Sequence, residues 1–156
     1  MGEEVELRVP AGLEYIPTLR ELLGALCART VPGVLGGVPE DWVWGFQTAV
    51  AELASNIVRH AHREVAGDLR WVLTSHEDRV EVRCFDRGTA YTPAPPSLPD
   101  PSALQEGGYG MFLIHRLLDD VEYTRTPDGE NRWRLVKHLP PTSTEAGPDL
   151  PGEEGA

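Results

Sequence analysis

The sequence is poor in cysteine and has no long hydrophobic run. Its two cysteines, Cys27 and Cys84, lie far apart and form no CxxC pair. We therefore expect small buried side chains in a reducing compartment, not a disulfide framework. Charged residues or glycines interrupt the apolar stretches well short of the roughly 20 residues that span a membrane. The acidic N-terminus lacks the apolar segment of a secretory signal, so the sequence predicts a cytoplasmic protein.

Basic residues are also few, and their scarcity narrows the choice of partner. Lysine and arginine number 14 against 25 aspartates and glutamates, which gives a formal net charge of −11. Such an acidic chain is a poor candidate for nonspecific nucleic-acid binding, since phosphate backbones attract basic side chains. The charge instead favours a basic protein partner, or a phosphate ligand that brings its own metal ion.

The chain is long enough for one domain with a buried core, since 40% of its 156 residues are hydrophobic. We place the domain at residues 1–139, because residues 140–156 are acidic, rich in proline and glycine, and predicted to form a disordered tail. Hydrophobic periodicity predicts an α+β fold, with helices on one face of a mostly antiparallel sheet. The predicted elements are strand 3–9, helix 13–30, helix 39–61, strands 69–75 and 80–85, a proline-rich loop 89–103, helix 110–119 and a hairpin turning at 127–129.

The second predicted helix carries polar residues beside an apolar stripe. At about 100° per residue, Glu52, Asn56 and His60 share one line at the edge of the core. Asn56 offers a neutral oxygen that suits Mg²⁺, and Glu52 could act as a base on an attacking hydroxyl; the alternative is a solvated flank. His62 is expected to face elsewhere, which argues against a zinc pair with His60. The stripe consists of Phe46, Val50, Leu53 and Ile57.

A second polar signal lies where the strand after this helix region ends. The stretch "VRCFDRGTAY" closes a predicted strand at Asp86 and places Gly88 two residues later. The carboxylate could accept a hydrogen bond from an exocyclic amine such as that of adenine, and the glycine would let a flat base approach closely. An ordinary turn-forming aspartate is the alternative.

A third signal is the glycine-rich stretch "EGGYGMFLI". Gly107, Gly108 and Gly110 can turn successive backbone N–H groups inward, and the predicted helix that follows adds its positive end. These features predict an anion site without a lysine, because the stretch does not match the GxxxxGK[ST] phosphate loop. A loop that merely needs glycine is the alternative.

The three stretches together, in this order, resemble a known set of motifs. "AELASNIVRHA" is similar to the N box, "DRGTAY" to the G1 box and "EGGYGMFLIHRLLDDVEY" to the G2 box of the GHKL ATPase superfamily. Within it, the chain looks most like the anti-sigma-factor serine/threonine kinases of the RsbW type. The resemblance covers roughly residues 5–139 and implies the two-layer Bergerat fold of histidine-kinase-like ATPases.

The resemblance also assigns roles to individual residues. It implies that Asn56 holds Mg²⁺ and that Glu52 is the general base. It places the adenine amino group on Asp86, with Gly88 beside it, and makes residues 89–106 a lid over the nucleotide. His60 would close the helix end near the site, either as a ligand-binding residue or as a structural histidine. The phosphates would be lined by Gly107, Gly108, Tyr109, Gly110 and Met111.

Two departures from the family pattern are visible. The G1 stretch lacks the second glycine of the D-x-G-x-G motif in sensor histidine kinases, which points towards the anti-sigma branch. The last strand of the family often carries a threonine that supports the adenine-binding aspartate. Arg132 stands roughly at that position here, so we expect altered support around Asp86.

The implied activity is Mg·ATP-dependent phosphorylation of a STAS-type anti-sigma-factor antagonist by a homodimeric kinase that also binds a sigma factor. The alternative is a protein that sequesters a sigma factor or another regulatory partner, with nucleotide as a conformational ligand or with no role. A sensor histidine kinase module would need a phosphoacceptor helix pair, for which the chain has no room before residue 5. A plain α+β domain without nucleotide is the remaining alternative.

Overall fold

The protein contains a five-stranded antiparallel sheet covered on one face by three helices. A computed structural model describes residues 3–30, 38–92 and 108–140. The strands lie in the order β1-β2-β3-β5-β4, and every neighbouring pair is antiparallel. The elements are β1 Glu4–Pro10, α1 Ile16–Thr30, α2 Glu40–Asn56, β2 Asp68–Ser75, β3 Arg79–Asp86, α3 Gly108–Leu117, β4 Asp120–Arg125 and β5 Asn131–His138. The α+β fold predicted from periodicity is confirmed.

Strand alternation fixes which sheet face meets the helices. Along β3 the buried positions are Val80, Val82, Cys84 and Asp86, so this row points into the core. The matching inward row of β5 runs from Asn131 through Trp133 to Leu135. Because the side-chain period of a strand is two, these rows make one face apolar and leave the other face to charged residues. Each inward row ends in a polar residue at the same end of the sheet.

The predicted apolar stripe of α2 packs against this face. Phe46, Val50 and Leu53 are fully buried and Ile57 nearly so, which confirms the helical periodicity. At the start of α2, Glu40 and Asp41 lie in the first turn, where the helix dipole favours negative charge. Burial of this stripe fixes the rotation of α2 about its axis, and therefore where its polar flank points.

The β4–β5 hairpin turns where the sequence predicts it. Gly129 has φ of 94°, a conformation that glycine adopts at little cost. Because β5 pairs with β3 on its other side, this hairpin brings Asn131 opposite Asp86. The tip of the hairpin is tied to the end of β3 by Arg87, whose Nη2 donates to the Asp128 carboxylate at 3.2 Å.

Element boundaries differ from the predicted ones by no more than two residues, except at the start of α1, which begins three residues late, and at the end of α2. A single 3₁₀ turn, Leu13–Tyr15, precedes α1, and α3 begins at Gly108. Residues 93–107 and 141–156, which include most of the predicted proline-rich loop and nearly all of the acidic tail, lie outside the described residues. Among the described helices, none combines the length and apolar character needed to cross a membrane.

Both cysteines are buried, as predicted, and burial should lower the reactivity of their thiols. Burial raises the pKa of the Cys27 thiol to about 11. Burial, with a further rise from the charge of Asp86, also holds the pKa of Cys84 well above its usual range. A raised pKa means less thiolate at any given pH, and the thiolate is the reactive form. We expect both to react with iodoacetamide at least about 100-fold more slowly in the native protein than in free cysteine at about pH 8.

Mass spectrometry of the alkylated peptides reads each thiol separately. The control is the same reaction in concentrated urea, where both residues should label at the rate of free cysteine. Native labelling of Cys84 at that rate would contradict its position in the core.

Candidate functional site

The C-terminal part of α2 lies against the first turn of α3. A Cβ atom added to Gly110 would lie 3.0 Å from Glu52 Oε2 and 3.1 Å from Asn56 Nδ2. Glu52 and Asn56 are both half-buried, whereas Gly110 is buried between the two helices. The glycine therefore leaves these two polar side chains facing the beginning of α3, where the N-terminal backbone N–H groups of a helix have no intrahelical partner.

The end of the same helix region lies against the turn that follows β3. A Cβ atom on Gly88 would lie 2.3 Å from the carbonyl oxygen of Ala61, far inside contact distance. The neighbouring Thr89 N–H donates to that same oxygen at 2.8 Å. Only glycine permits this approach of two backbones. The turn after Asp86 is thus fixed to the end of the helix that carries Glu52 and Asn56.

These two contacts bring the three sequence stretches together. The segment from Glu52 to Ala61 meets the glycine-rich start of α3 at Glu52 and Asn56, and the Asp86–Gly88 turn at Ala61. The structure therefore brings together residues as far apart in sequence as Glu52 and Gly110, along one side of α2 and the turn that follows it.

The helix changes its winding as it reaches this turn. Ile57–Ala61 forms a π-helical turn, and the His62 N–H donates to the Ile57 carbonyl at 3.1 Å. A π turn takes up one extra residue, so the positions after it are rotated relative to a regular helix. As a result His60 is exposed, while the side chain of His62 is only 1% exposed.

The prediction that His62 faces away from the site is therefore wrong. Its Nε2 lies 3.1 Å from Asp86 Oδ1, and its Nδ1 lies 2.8 Å from the carbonyl oxygen of Val65. Both nitrogens face acceptors, and a neutral imidazole has one N–H, so both bonds form together only when the ring carries two protons. The alignment of His60 with Glu52 and Asn56 assumed a regular helix, and the π turn breaks that assumption.

Asp86 receives donors on one oxygen and none on the other. Oδ1 accepts from the Gly88 N–H at 2.9 Å and from Asn131 Nδ2 at 2.9 Å, in addition to the contact with His62. Oδ2 is buried and has no hydrogen-bond partner within the described part of the chain. A buried acceptor without a donor costs about 1–3 kcal/mol. Oδ2 therefore suits a ligand that brings an N–H group, such as an exocyclic amine.

Asn131 supports Asp86 from the neighbouring strand. Its Oδ1 accepts from the Tyr123 hydroxyl and from Arg125 Nη1, both at 2.6 Å. Because the arginine can only donate, the amide oxygen must face it, and the amide nitrogen then faces Asp86. The same nitrogen lies 3.2 Å from the Gly88 carbonyl. Asn131 is buried and fully engaged, so it holds the carboxylate in a fixed orientation.

The strand register corrects the expectation that Arg132 alters the support around Asp86. Asp86 pairs with Asn131, whereas Arg132 pairs with Phe85 on the outer face of the sheet. The Arg132 side chain is exposed and forms an ion pair with Glu130 at 2.8 Å. The support expected from a threonine is supplied here by the amide of Asn131, one residue earlier.

The glycine-rich stretch is described only from Gly108 onwards, where α3 begins. Met111 is half-buried and packs against the core, which anchors the first turn. Gly107, the side chain of Tyr109 and residues 93–106 of the predicted lid lie outside the described residues. The described part fits the predicted anion site, because the positive end of a helix lies there beside the Asn56 carboxamide, which could hold a cation.

Comparison with known proteins agrees with this arrangement. The histidine kinase-like ATPase domain matches residues 9–137, which include all three stretches. The serine-protein kinase RsbW of Bacillus cereus strain AH187 is 30% identical over 128 residues, covering 77% of this chain and 76% of the relative. Serine-protein kinases RsbW of Bacillus cereus strain B4264 and Bacillus mycoides strain KBAB4 are each 29% identical, with the same coverage.

The contact between Gly88 and Ala61 predicts a strong effect of a single methyl group. Gly88→Ala would push its Cβ into the Ala61 carbonyl, which is backbone and cannot move aside cheaply. We expect a loss of about 1–3 kcal/mol in the free energy of unfolding, measured by urea denaturation.

Gly45 offers a matched control, because it is also buried but has space. A Cβ there would lie 3.5 Å from Leu117 Cδ2, an ordinary contact. Since Gly45 lies inside α2, Gly45→Ala should leave stability unchanged or raise it by up to about 1 kcal/mol. Equal stabilities for the two variants would contradict the close approach at Gly88.

Proposed function

The chain belongs to the histidine kinase-like ATPase family and is of its RsbW type, and on this premise we propose that it is a Mg·ATP-dependent protein serine/threonine kinase. The observation that carries the proposal is the Asp86 carboxylate, which has one buried oxygen without a hydrogen-bond partner among the residues that the structure describes. Adenine has an exocyclic amine that can supply the missing donor. The relatives named serine-protein kinase support phosphoryl transfer to a hydroxyl group.

The contacts around α2 give the bound nucleotide a direction. In the proposal, the base lies at the end of β3, against Asp86 and Gly88. The phosphates lie at the start of α3, lined by backbone N–H groups from Gly108 to Met111. This direction is supported by two contacts: α2 meets the α3 start at Glu52 and Asn56, and the π turn that follows it meets the Gly88 turn at Ala61.

Two side chains of α2 would serve the transfer itself. Asn56 would hold Mg²⁺ through its amide oxygen, and the remaining ligands would be water and phosphate. A bound Mg²⁺ would neutralise charge on the phosphates as the γ-phosphoryl group is transferred. Glu52 would accept the proton of the attacking hydroxyl. The new bond joins the hydroxyl oxygen to the γ-phosphorus, while ADP leaves with the electrons of the bond that breaks.

The protein partner in this proposal is a STAS-type anti-sigma-factor antagonist, and a sigma factor is the second partner. The chain would act as a homodimeric, cytoplasmic partner-switching regulator of transcription. Sequestration of a sigma factor without phosphoryl transfer is the competing function. The position of Glu52 favours transfer, because a pure binding protein needs no carboxylate facing the start of α3.

Replacement of the proposed base separates these two functions. Glu52→Ala should lower phosphoryl transfer to a co-encoded STAS protein by about 10²–10⁴-fold, because the hydroxyl proton loses its acceptor. Binding of ATP should change by less than about 3-fold, since Glu52 makes no proposed bond to the nucleotide. Transfer is followed with radiolabelled ATP under single-turnover conditions.

Glu21→Ala is the matched control, because Glu21 is an exposed glutamate of α1. It should transfer phosphate at the wild-type rate. Normal transfer by Glu52→Ala would remove Glu52 from the proposed mechanism. Absence of transfer by the wild-type chain, with tight binding of a sigma factor, would favour the sequestering function.

Calorimetry with two further variants tests the two ends of the nucleotide separately. Asp86→Asn should weaken ADP binding by at least about 10-fold, with or without Mg²⁺, because the acceptor for the base is lost. Asn56→Ala should weaken only the Mg²⁺-dependent part of the affinity. If both variants lose affinity solely in the presence of Mg²⁺, the placement of the base at Asp86 is wrong.

A further inference from the structure

His62 is a buried histidine that the proposed phosphoryl transfer does not use. Its side chain is 1% exposed, and Asp86, its partner, is fully buried. The π turn at the end of α2 brings the ring there, as described above. The His62 ring is thus buried against Asp86, the carboxylate that would recognise the base, and this position calls for an explanation.

The ring is held from two sides besides Asp86. Its Nδ1 lies 2.8 Å from the Val65 carbonyl. Gly67 packs against the ring, since a Cβ there would lie 3.1 Å from His62 Cε1. The Gly67 carbonyl in turn accepts from the Ala11 N–H at 2.8 Å, which ties the loop to the end of β1. The imidazole is therefore positioned by a loop anchored to the sheet.

Three nitrogen atoms converge on Oδ1 of Asp86, each from a different part of the fold. His62 approaches from the end of the helix, Asn131 from β5, and the Gly88 N–H from the turn after β3. An oxygen with three donors has no capacity for a fourth. The base must then bond to Oδ2, which has no described partner.

We propose that His62 is a positioning residue for base selection, which fixes Asp86 so that Oδ2 alone meets the purine and so favours a 6-amino over a 6-oxo group. This inference rests on the proposed nucleotide-binding function. A 6-amino group donates to Oδ2. A 6-oxo group would place two acceptors face to face in a buried site, where neither can find a donor.

Loss of the imidazole would relax this selection for a physical reason. Without the His62 contact at Oδ1, only the Gly88 N–H and the Asn131 amide hold the Asp86 carboxylate, so it can rotate more widely about its broad terminal torsion. The space of the missing ring would also admit water. A water molecule can donate to two acceptors at once, and so could bridge the carboxylate and a 6-oxo group. Discrimination between the two bases would then fall.

The test measures the affinities of ADP and inosine diphosphate for the full chain by calorimetry. Wild type should prefer ADP by about 10²-fold or more. His62→Leu should reduce the preference at least about 10-fold, whereas His62→Gln, whose amide can still donate to Oδ1, should retain it within about 3-fold. A purely structural role would lower both affinities by the same factor and leave their ratio unchanged.

A second variant changes the position of the His62 ring without replacing the histidine. Gly67→Ala should displace His62 by a few tenths of an ångström, because its Cβ would lie at 3.1 Å from Cε1. We expect a partial loss of the ADP preference, while Gly45→Ala, remote from the ring, should show none. This variant keeps the proposal testable even if His62→Leu fails to fold.

The outcomes separate the inference from the function on which it rests. Wild-type chain that binds neither nucleotide would overturn the proposed function, and the inference with it. Wild-type chain that prefers ADP, together with an unchanged preference in His62→Leu, or in Gly67→Ala if His62→Leu does not fold, would leave the function standing and overturn the role of His62.

Discussion

The arrangement of this protein depends on one backbone contact, in which the turn after β3 meets the end of the α2 region. The missing side chain of Gly88 lets the Thr89 N–H reach the Ala61 carbonyl at 2.8 Å. This bond joins the sheet layer to the helix layer at the edge of the core. Because α2 is already fixed in rotation by its buried stripe, the bond also fixes where Glu52 and Asn56 point relative to Asp86.

The polar groups near this contact form a connected network. Asp86 and Asn131 are 3% and 1% exposed, and such groups are tolerated in a core only when their hydrogen bonds are made. Asn131 uses both ends of its amide, towards Tyr123 and Arg125 on one side and Asp86 on the other. Among the described residues, the one acceptor of this network without a donor is Asp86 Oδ2. A network that is complete except at one atom defines a single place where a ligand donor improves it.

Much of this fold could be predicted from the sequence, because its elements follow simple periods. The stripe from Phe46 to Ile57 and the alternation in β3 determine the helix rotation and the inward row of the sheet. Asn131 could have been found in the same way. Counting back in steps of two from Leu135 and Trp133 reaches position 131, whereas Arg132 falls on the outer face.

His62 could not be found by counting, because its position depends on tertiary structure. A regular helix at 100° per residue aligns His60 with Asn56. The π turn at Ile57–Ala61 adds one residue and exchanges which histidine is buried. Nothing in the letters "IVRHAH" signals that turn. It coincides with the backbone contact at Ala61 and the bond from His62 to Asp86, two long-range contacts.

The strand order has a consequence for how the protein is made. Since β5 lies between β3 and β4, the sheet cannot close until the last strand has been synthesised. One donor to Asp86 comes from Asn131, which is synthesised 45 residues later in the chain. Non-local strand pairing of this kind folds slowly, and chains emerge from the ribosome with the N-terminal part first. A nascent chain that ends before β5 would therefore carry a carboxylate that lacks its Asn131 donor, and competence to bind ligand would arise only after β5 has been synthesised.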